Sequence, residues 1–206
     1  MRTKRLVFLV AVIMACGLAM AYAVPRMPAG QQMSEQEKKM MDQMMKYGTP
    51  GPNHELLKKY AGDWDVEIKM WPNPAAAPMT SKGTFKNELL FGGRYLQGRF
   101  EGDMGGMKAE GLEIIAYDLF KKMYTTFWID GWDTIFVLTT GKLDATGKIL
   151  TETGTYPDAM TDGKTMQKIK NVTTFLGDGR YKFEMFMVTP DGKEAKSMEF
   201  VCTRKK

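Results

Sequence analysis

From Gly62 the chain alternates. Trp64, Val66, Ile68 and Met70 fall at every second position, and Asp65, Glu67 and Lys69 lie between them. That is the two-residue period of a strand with one apolar face. The break PNPAAAP at 72–78 follows, and its prolines have no place in a central strand. Beyond it the pattern predicts strands near residues 81–91, 94–102, 108–117, 122–130, 134–143, 148–156, 165–176, 180–189 and 194–204. Between them FGGR, DMGGM, DATGK, GDGR and PDGK supply the Gly and Asp that tight hairpins need at positive φ.

Ahead of the alternation the period is helical. Ser34 with Glu37 forms a capping box for a short helix through about Lys46, which Gly48 and Pro50 stop. Its face carries Met40, Met41, Met44 and Met45. Thioethers can bind copper(I), but no Cys or His supports these, so we read them as flexible apolar filler. A second helical turn is expected from a cap at Asn53 to Gly62, with Leu56, Leu57 and Tyr60 as its apolar stripe. We therefore divide the chain into residues 1–23, a linker and Met-rich helix at 24–53, and a β-domain at 54–206.

Strands joined mostly by tight turns pair with their sequence neighbours in antiparallel fashion. An open sheet of ten such strands tends to curl or close, and closure removes the exposed edges. The expected fold is all-β, an antiparallel up-and-down ten-stranded barrel with a short N-terminal helical segment. The last strand places Met198, Phe200, Cys202 and Arg204 on one face. If strand one closes on strand ten, Trp64 and Arg204 meet, and stacking of guanidinium on indole plugs one end.

The first residues change the picture of location. MRTKR precedes the apolar run LVFLVAVIMACGLAMAYA, the pattern of a secretory signal with cleavage favoured after Ala23. The protein is accordingly expected to be secreted or periplasmic. Membrane attachment is expected only if the signal stays uncleaved or Cys16, within IMAC, is lipidated. Cleavage would remove Arg2, Lys4 and Arg5 and no acid, lowering the formal net charge from +5 to +2. With cations and acids interspersed along the strands, no nucleic-acid partner is expected. Cys202 would be the sole remaining cysteine, so the core must hold the fold without an internal disulfide.

Gly62-Asp63-Trp64, a meander and a terminal Arg resemble the GxW and R signature of lipocalin-like barrels. The blocks GPNHELLKKYAGDWDVEIKMW, LLFGGRYLQGRFEGDMGGM, EGLEIIAYD, TFWID and YPDAMTDGK together resemble the bacterial domain-of-unknown-function family 1579, over roughly residues 50–206. The resemblance implies a lipocalin-like or calycin-like barrel and no established activity. Nitrobindin-like barrels hold haem through a late histidine. Here His54 is the one histidine and precedes the first strand, so haem ligation of that kind is disfavoured and no cofactor is expected.

The leading functional expectation is a barrel that binds a small, largely apolar ligand. Its candidate lining is Val66, Ile68, Phe85, Leu89, Leu96, Phe100, Ile114, Phe127, Phe183, Met185, Met198 and Phe200. The alternatives are an enzyme using polar groups inside the barrel, such as Asn87, Gln97, Glu101 or Glu113, or an assembly module with an inert interior. No catalytic or metal-binding residue is assigned. His54 suits a capping or surface role, and Asp63 and Asp65 lie opposite Trp64 on the outside. MYTTFWI and TIFVLTT are apolar on both faces, so the outer face of residues 122–140 is expected to be covered by the Met-rich helix or by a second copy in a homodimer.

Overall fold

The computed structural model describes residues 33–206; residues 1–23, expected to form a signal, and Cys16 among them lie outside these. The chain divides into two units between Gln43 and Met44, a boundary inside helix α1 (Glu35–Gly48), none of whose residues is buried. Its N-terminus carries the expected capping box. Glu37 Oε2 accepts the Ser34 amide at 2.8 Å, and the Glu37 amide donates to Ser34 Oγ at 3.2 Å.

The unit Met44–Lys206 holds a 3-10 turn (Pro52–His54) and helix α2 (Glu55–Tyr60), followed by the strands. These are β1 (Gly62–Met70), β2 (Met79–Leu90), β3 (Tyr95–Met104), β4 (Met107–Asp118), β5 (Met123–Asp130), β6 (Val137–Leu143), β7 (Ile149–Pro157), β8 (Met166–Gly177), β9 (Arg180–Val188) and β10 (Glu194–Arg204). Each pairs antiparallel with the next, and β1 pairs with β10, so the sheet is a closed barrel.

Two local departures from the sequence pattern have visible causes. The second helical turn starts at Pro52 rather than at an Asn53 cap. Pro suits a first turn because its missing N–H has no partner to lose, and His54 Nδ1 accepts the Gly51 amide at 3.0 Å. His54 thus has its capping role, but it is buried rather than on the surface. In the other case β6 begins at Val137, and residues 134–136 stay in the loop. Asp130 Oδ1 accepts the Trp132 amide at 3.0 Å and Asp133 Oδ1 accepts the Ile135 amide at 2.7 Å. Such aspartate turns curl the chain away from the ladder.

Helix α2 caps one end of the barrel, and the start of β1 and the end of β10 meet over it. A helix C-terminus leaves carbonyls without partners, and here side chains from the barrel supply the donors. Trp64 Nε1 donates to the Tyr60 carbonyl at 2.7 Å, and Asn87 Nδ2 donates to the same oxygen at 2.9 Å. Arg204 Nη2 donates to the Lys59 carbonyl at 2.9 Å, and Nη1 donates to that of Ala61. Trp64 and Arg204 are register partners, and the guanidinium carbon sits 4.2 Å from the indole centroid. Arg204 is exposed, so it covers the buried indole from outside instead of entering the barrel. Gly62, at φ +112°, makes this fit possible, since a Cβ there would stand 2.4 Å from Arg204 Nη1.

The core continues upward from this plug through Val66, Ile68, Leu96, Phe100 and Phe200. Outside, charges of both signs are paired. Lys196 bridges Glu184 and Glu199, and Lys69 lies 3.2 Å from Glu199. The outer face of β4–β6 is apolar, with Ile114, Phe127 and Leu138 aligned across three strands. Phe136, in the loop before β6, packs on Phe127 at 5.6 Å between centroids and remains 64% exposed.

Candidate ligand cavity

Above the plug the barrel encloses a cavity of about 420 Å3. Its floor is formed by Tyr60 of α2 and Tyr181 of β9, whose rings meet edge to face at 5.2 Å. Its rim is formed by Glu110 of β4 and by Trp132 and Asp133 of the β5–β6 loop, all three exposed. The space therefore runs from a buried floor to the solvent at the opposite end.

Apolar side chains make most of the wall. Phe100 stacks on Phe200 at 5.6 Å and 13°, and Phe85 and Phe183 lean on the same pair. Met185, Met198, Ile115 and Ile169 extend the surface. Trp128 reaches over β4 where Gly111 leaves room. A Cβ on Gly111 would fall 2.2 Å from the indole.

Two carboxyls interrupt this wall. Glu152, on β7, is 5% exposed and accepts a hydrogen bond from Thr126 Oγ1 at 2.9 Å. Burial pushes its pKa up to about 7. Glu113, on β4, lies deep in the protein yet keeps some accessible surface, because the surface it presents faces the cavity. Burial first, and repulsion from Glu152 second, push it up to about 8. No hydrogen bond from the described residues offsets this. The Glu113 Oε1 and the Asn87 Oδ1 converge on the space above Gly98, each 2.7 Å from where a Cβ would stand. Asn87 is 3% exposed and its Oδ1 has no donor among the described residues. A proton on Glu113 would give that oxygen a neighbouring donor. Asn171, also in the wall, has a second buried Oδ1 without a partner.

Of the residues expected to line the barrel, Phe85, Phe100, Phe183, Met185, Met198 and Phe200 do border the cavity. Val66, Ile68 and Leu96 point to the same side but are packed into the core. Leu89 sits at the plugged end, 37% exposed, opposite Leu96. Ile114 and Phe127 belong to the outer face. Their strands are apolar on both sides, so alternation alone left the phase open, and the structure turns Glu113, Ile115, Thr126 and Trp128 inward instead. The polar alternatives divide likewise: Asn87 and Glu113 face the interior, whereas Glu101 is exposed and Gln97 lies opposite Ile114 and Glu88 on the outer face. Asp63 and Asp65 are exposed on either side of Trp64.

Glu152, Trp128, Tyr181 and Asn171 were not singled out by the pattern. Glu152 shares its phase with Leu150 and Gly154, between Thr151 and Thr153, so an acid in step with a buried leucine was the available signal. Cys202 is fully buried, and burial pushes its thiol up to about 12, which leaves it an inert core residue. Among the described residues no three His, Cys, Asp or Glu side chains are grouped to hold a metal ion.

A comparison with curated proteins returns no match. The family described as protein of unknown function (DUF1579) matches residues 49–204, which takes in α2, all ten strands and every residue of the cavity, and the chain belongs to that family.

Proposed function

We propose that this protein is an extracytoplasmic carrier or receptor that binds a small, largely apolar ligand in the barrel. The observation behind this reading is the cavity of about 420 Å3 with its phenylalanine and methionine walls and solvent-facing rim. Its size falls in the range of small-molecule sites. The location rests on the pattern of residues 1–23. The test is titration with the apolar dye N-phenyl-1-naphthylamine, together with solvent extraction and mass spectrometry of protein purified from its own cell envelope. Dye fluorescence should rise to saturation at one dye per chain, and Met185→Trp, which fills the cavity, should abolish the rise while the fold persists. A dye that never saturates, with nothing extracted from the native protein, would remove the binding reading.

A second reading is an enzyme, favoured by one observation. Glu113 and Glu152 have their pKa values pushed to about 8 and about 7, near neutrality, where general acid and base groups work best. Its mark would be turnover of a bound compound that Glu113→Gln and Glu152→Gln abolish while dye binding survives.

A further inference from the structure

The charged residues of the cavity are all of one sign. Glu110, Glu113, Asp130, Asp133 and Glu152 line it, and among the described residues no Lys, Arg or His does. At the rim Glu110 is neutralised by Lys108. Asp130 accepts Trp128 Nε1 at 3.0 Å, and Asp133 accepts a backbone amide. Deeper in, no cation of the described residues pairs with Glu113 or Glu152.

The deep half also holds acceptors that lack a donor. Among the described residues Glu113 has no hydrogen-bond partner, and neither does the Oδ1 of Asn87, beside the cavity, or that of Asn171, in its wall. Asn87 is almost wholly buried and directs its empty acceptor at the same space as Glu113. Leaving buried acceptors unpaired costs stability, roughly 1–3 kcal/mol for each group. A native fold that keeps several around one cavity is arranged for a partner that brings donors and positive charge. The aromatic walls agree, because ring faces attract cations as well as apolar groups.

We propose that the cavity selects an apolar molecule bearing a cationic amine, with its ammonium at Glu113 and Glu152 and its apolar body against Phe85, Phe100, Phe183 and Phe200. This assignment rests on the ligand-binding reading and specifies the head group. The ammonium supplies three donors and a compensating charge, and it would keep both carboxyls ionised, against the shift that burial imposes on the empty cavity. A fatty acid would find no cation among the described lining residues to receive its carboxylate, and whichever of Glu113 and Glu152 is ionised would repel it. Anionic amphiphiles are therefore disfavoured relative to amines.

The experiment uses three probes of one chain length, decylamine, 1-decanol and decanoate, titrated near neutral pH. The readout is the fluorescence of Trp128 and Trp132, both in the cavity wall. Decylamine should bind about tenfold or more tighter than decanol, a difference of about 1.4 kcal/mol, and decanoate should bind weakest. In the Glu113→Gln/Glu152→Gln double variant the amine should fall to the level of decanol. Decanol or decanoate binding as tightly as decylamine overturns the head-group assignment but leaves a ligand cavity. So does an amine preference that persists in the double variant. Failure of all three probes to bind removes both readings. The wild-type series decides the matter even if the variant does not fold.

Discussion

Glu113 and Glu152 sit where the neutral acid is the comfortable form. Their folded pKa values, about 8 and about 7, stand above the ordinary carboxylate value of 4.5. Between that value and about 8 the folded state holds protons that the unfolded chain releases. Unfolding free energy contributed by the pair therefore falls as pH rises through this window and levels off above it. His54 works in the opposite sense. Burial lowers its pKa from 6.5, so its neutral form costs stability as pH falls below that value. The pair is isolated by difference: relative to wild type, the Glu113→Gln/Glu152→Gln variant should gain stability from about pH 5 to pH 8, on the order of a few kcal/mol at the upper end. Urea denaturation of both proteins across that range measures it, and parallel profiles would contradict the buried-acid account.

Adjacent strands decide each other's phase. In β4 and β5 both faces are apolar enough to be buried, and the choice is made by fit across the pair. Gly111 leaves a gap that the Trp128 indole fills, Glu113 pairs with Trp128, and Ile115 pairs with Thr126. Placing Trp128 inward then obliges Ile114, Phe127 and Ile129 to face out, since a one-residue slip would exchange the two sides. Gly111→Ala tests this arrangement. A methyl group cannot share space with the ring, so the indole should be displaced, with a shift in tryptophan emission, weaker dye uptake and a loss of about 1–3 kcal/mol typical of overpacking. Unchanged emission and stability would show that Trp128 does not depend on the gap. The β5–β6 loop has the same character. Asp130 and Asp133 delay the start of β6 and bring Ile135 to the cavity, a result of turn chemistry that the strand pattern over 134–143 did not reveal.

Closure is a property of the entire sheet. No strand of the ten presents a free edge, because β10 pairs with both β9 and β1. The plug adds a second tie, between the end of β10 and the α2–β1 segment, through Arg204, Trp64 and the carbonyls of Lys59, Tyr60 and Ala61. Deleting residues 194–206 would remove both at once, opening edges on β1 and β9 and uncovering the cavity wall at Phe183 and Met185. Exposed edges of this length invite pairing between molecules. The truncated chain should show no cooperative unfolding transition and should aggregate, whereas Arg204→Ala, which removes only the tie, should still unfold cooperatively. A soluble, cooperatively folding truncation would mean that the barrel is not the unit of stability.

The strands, their order and the closing pair of Trp64 with Arg204 were legible along the chain. Period-two alternation and Gly/Asp turns are local signals, and short turns leave antiparallel neighbours as the economical connection. The capping box at Ser34 and Glu37 was equally local. The cavity and its acids were not. Glu113 could be named as an interior candidate, but Glu152 acquires its meaning only beside Thr126 and Glu113, from strands distant in sequence. Which face of β4 and β5 turned inward, and whether the aromatic interior was full or hollow, depended on how side chains from different strands share one volume. Alternation assigns residues to sides, while packing in three dimensions decides which side is inside and how much room is left there.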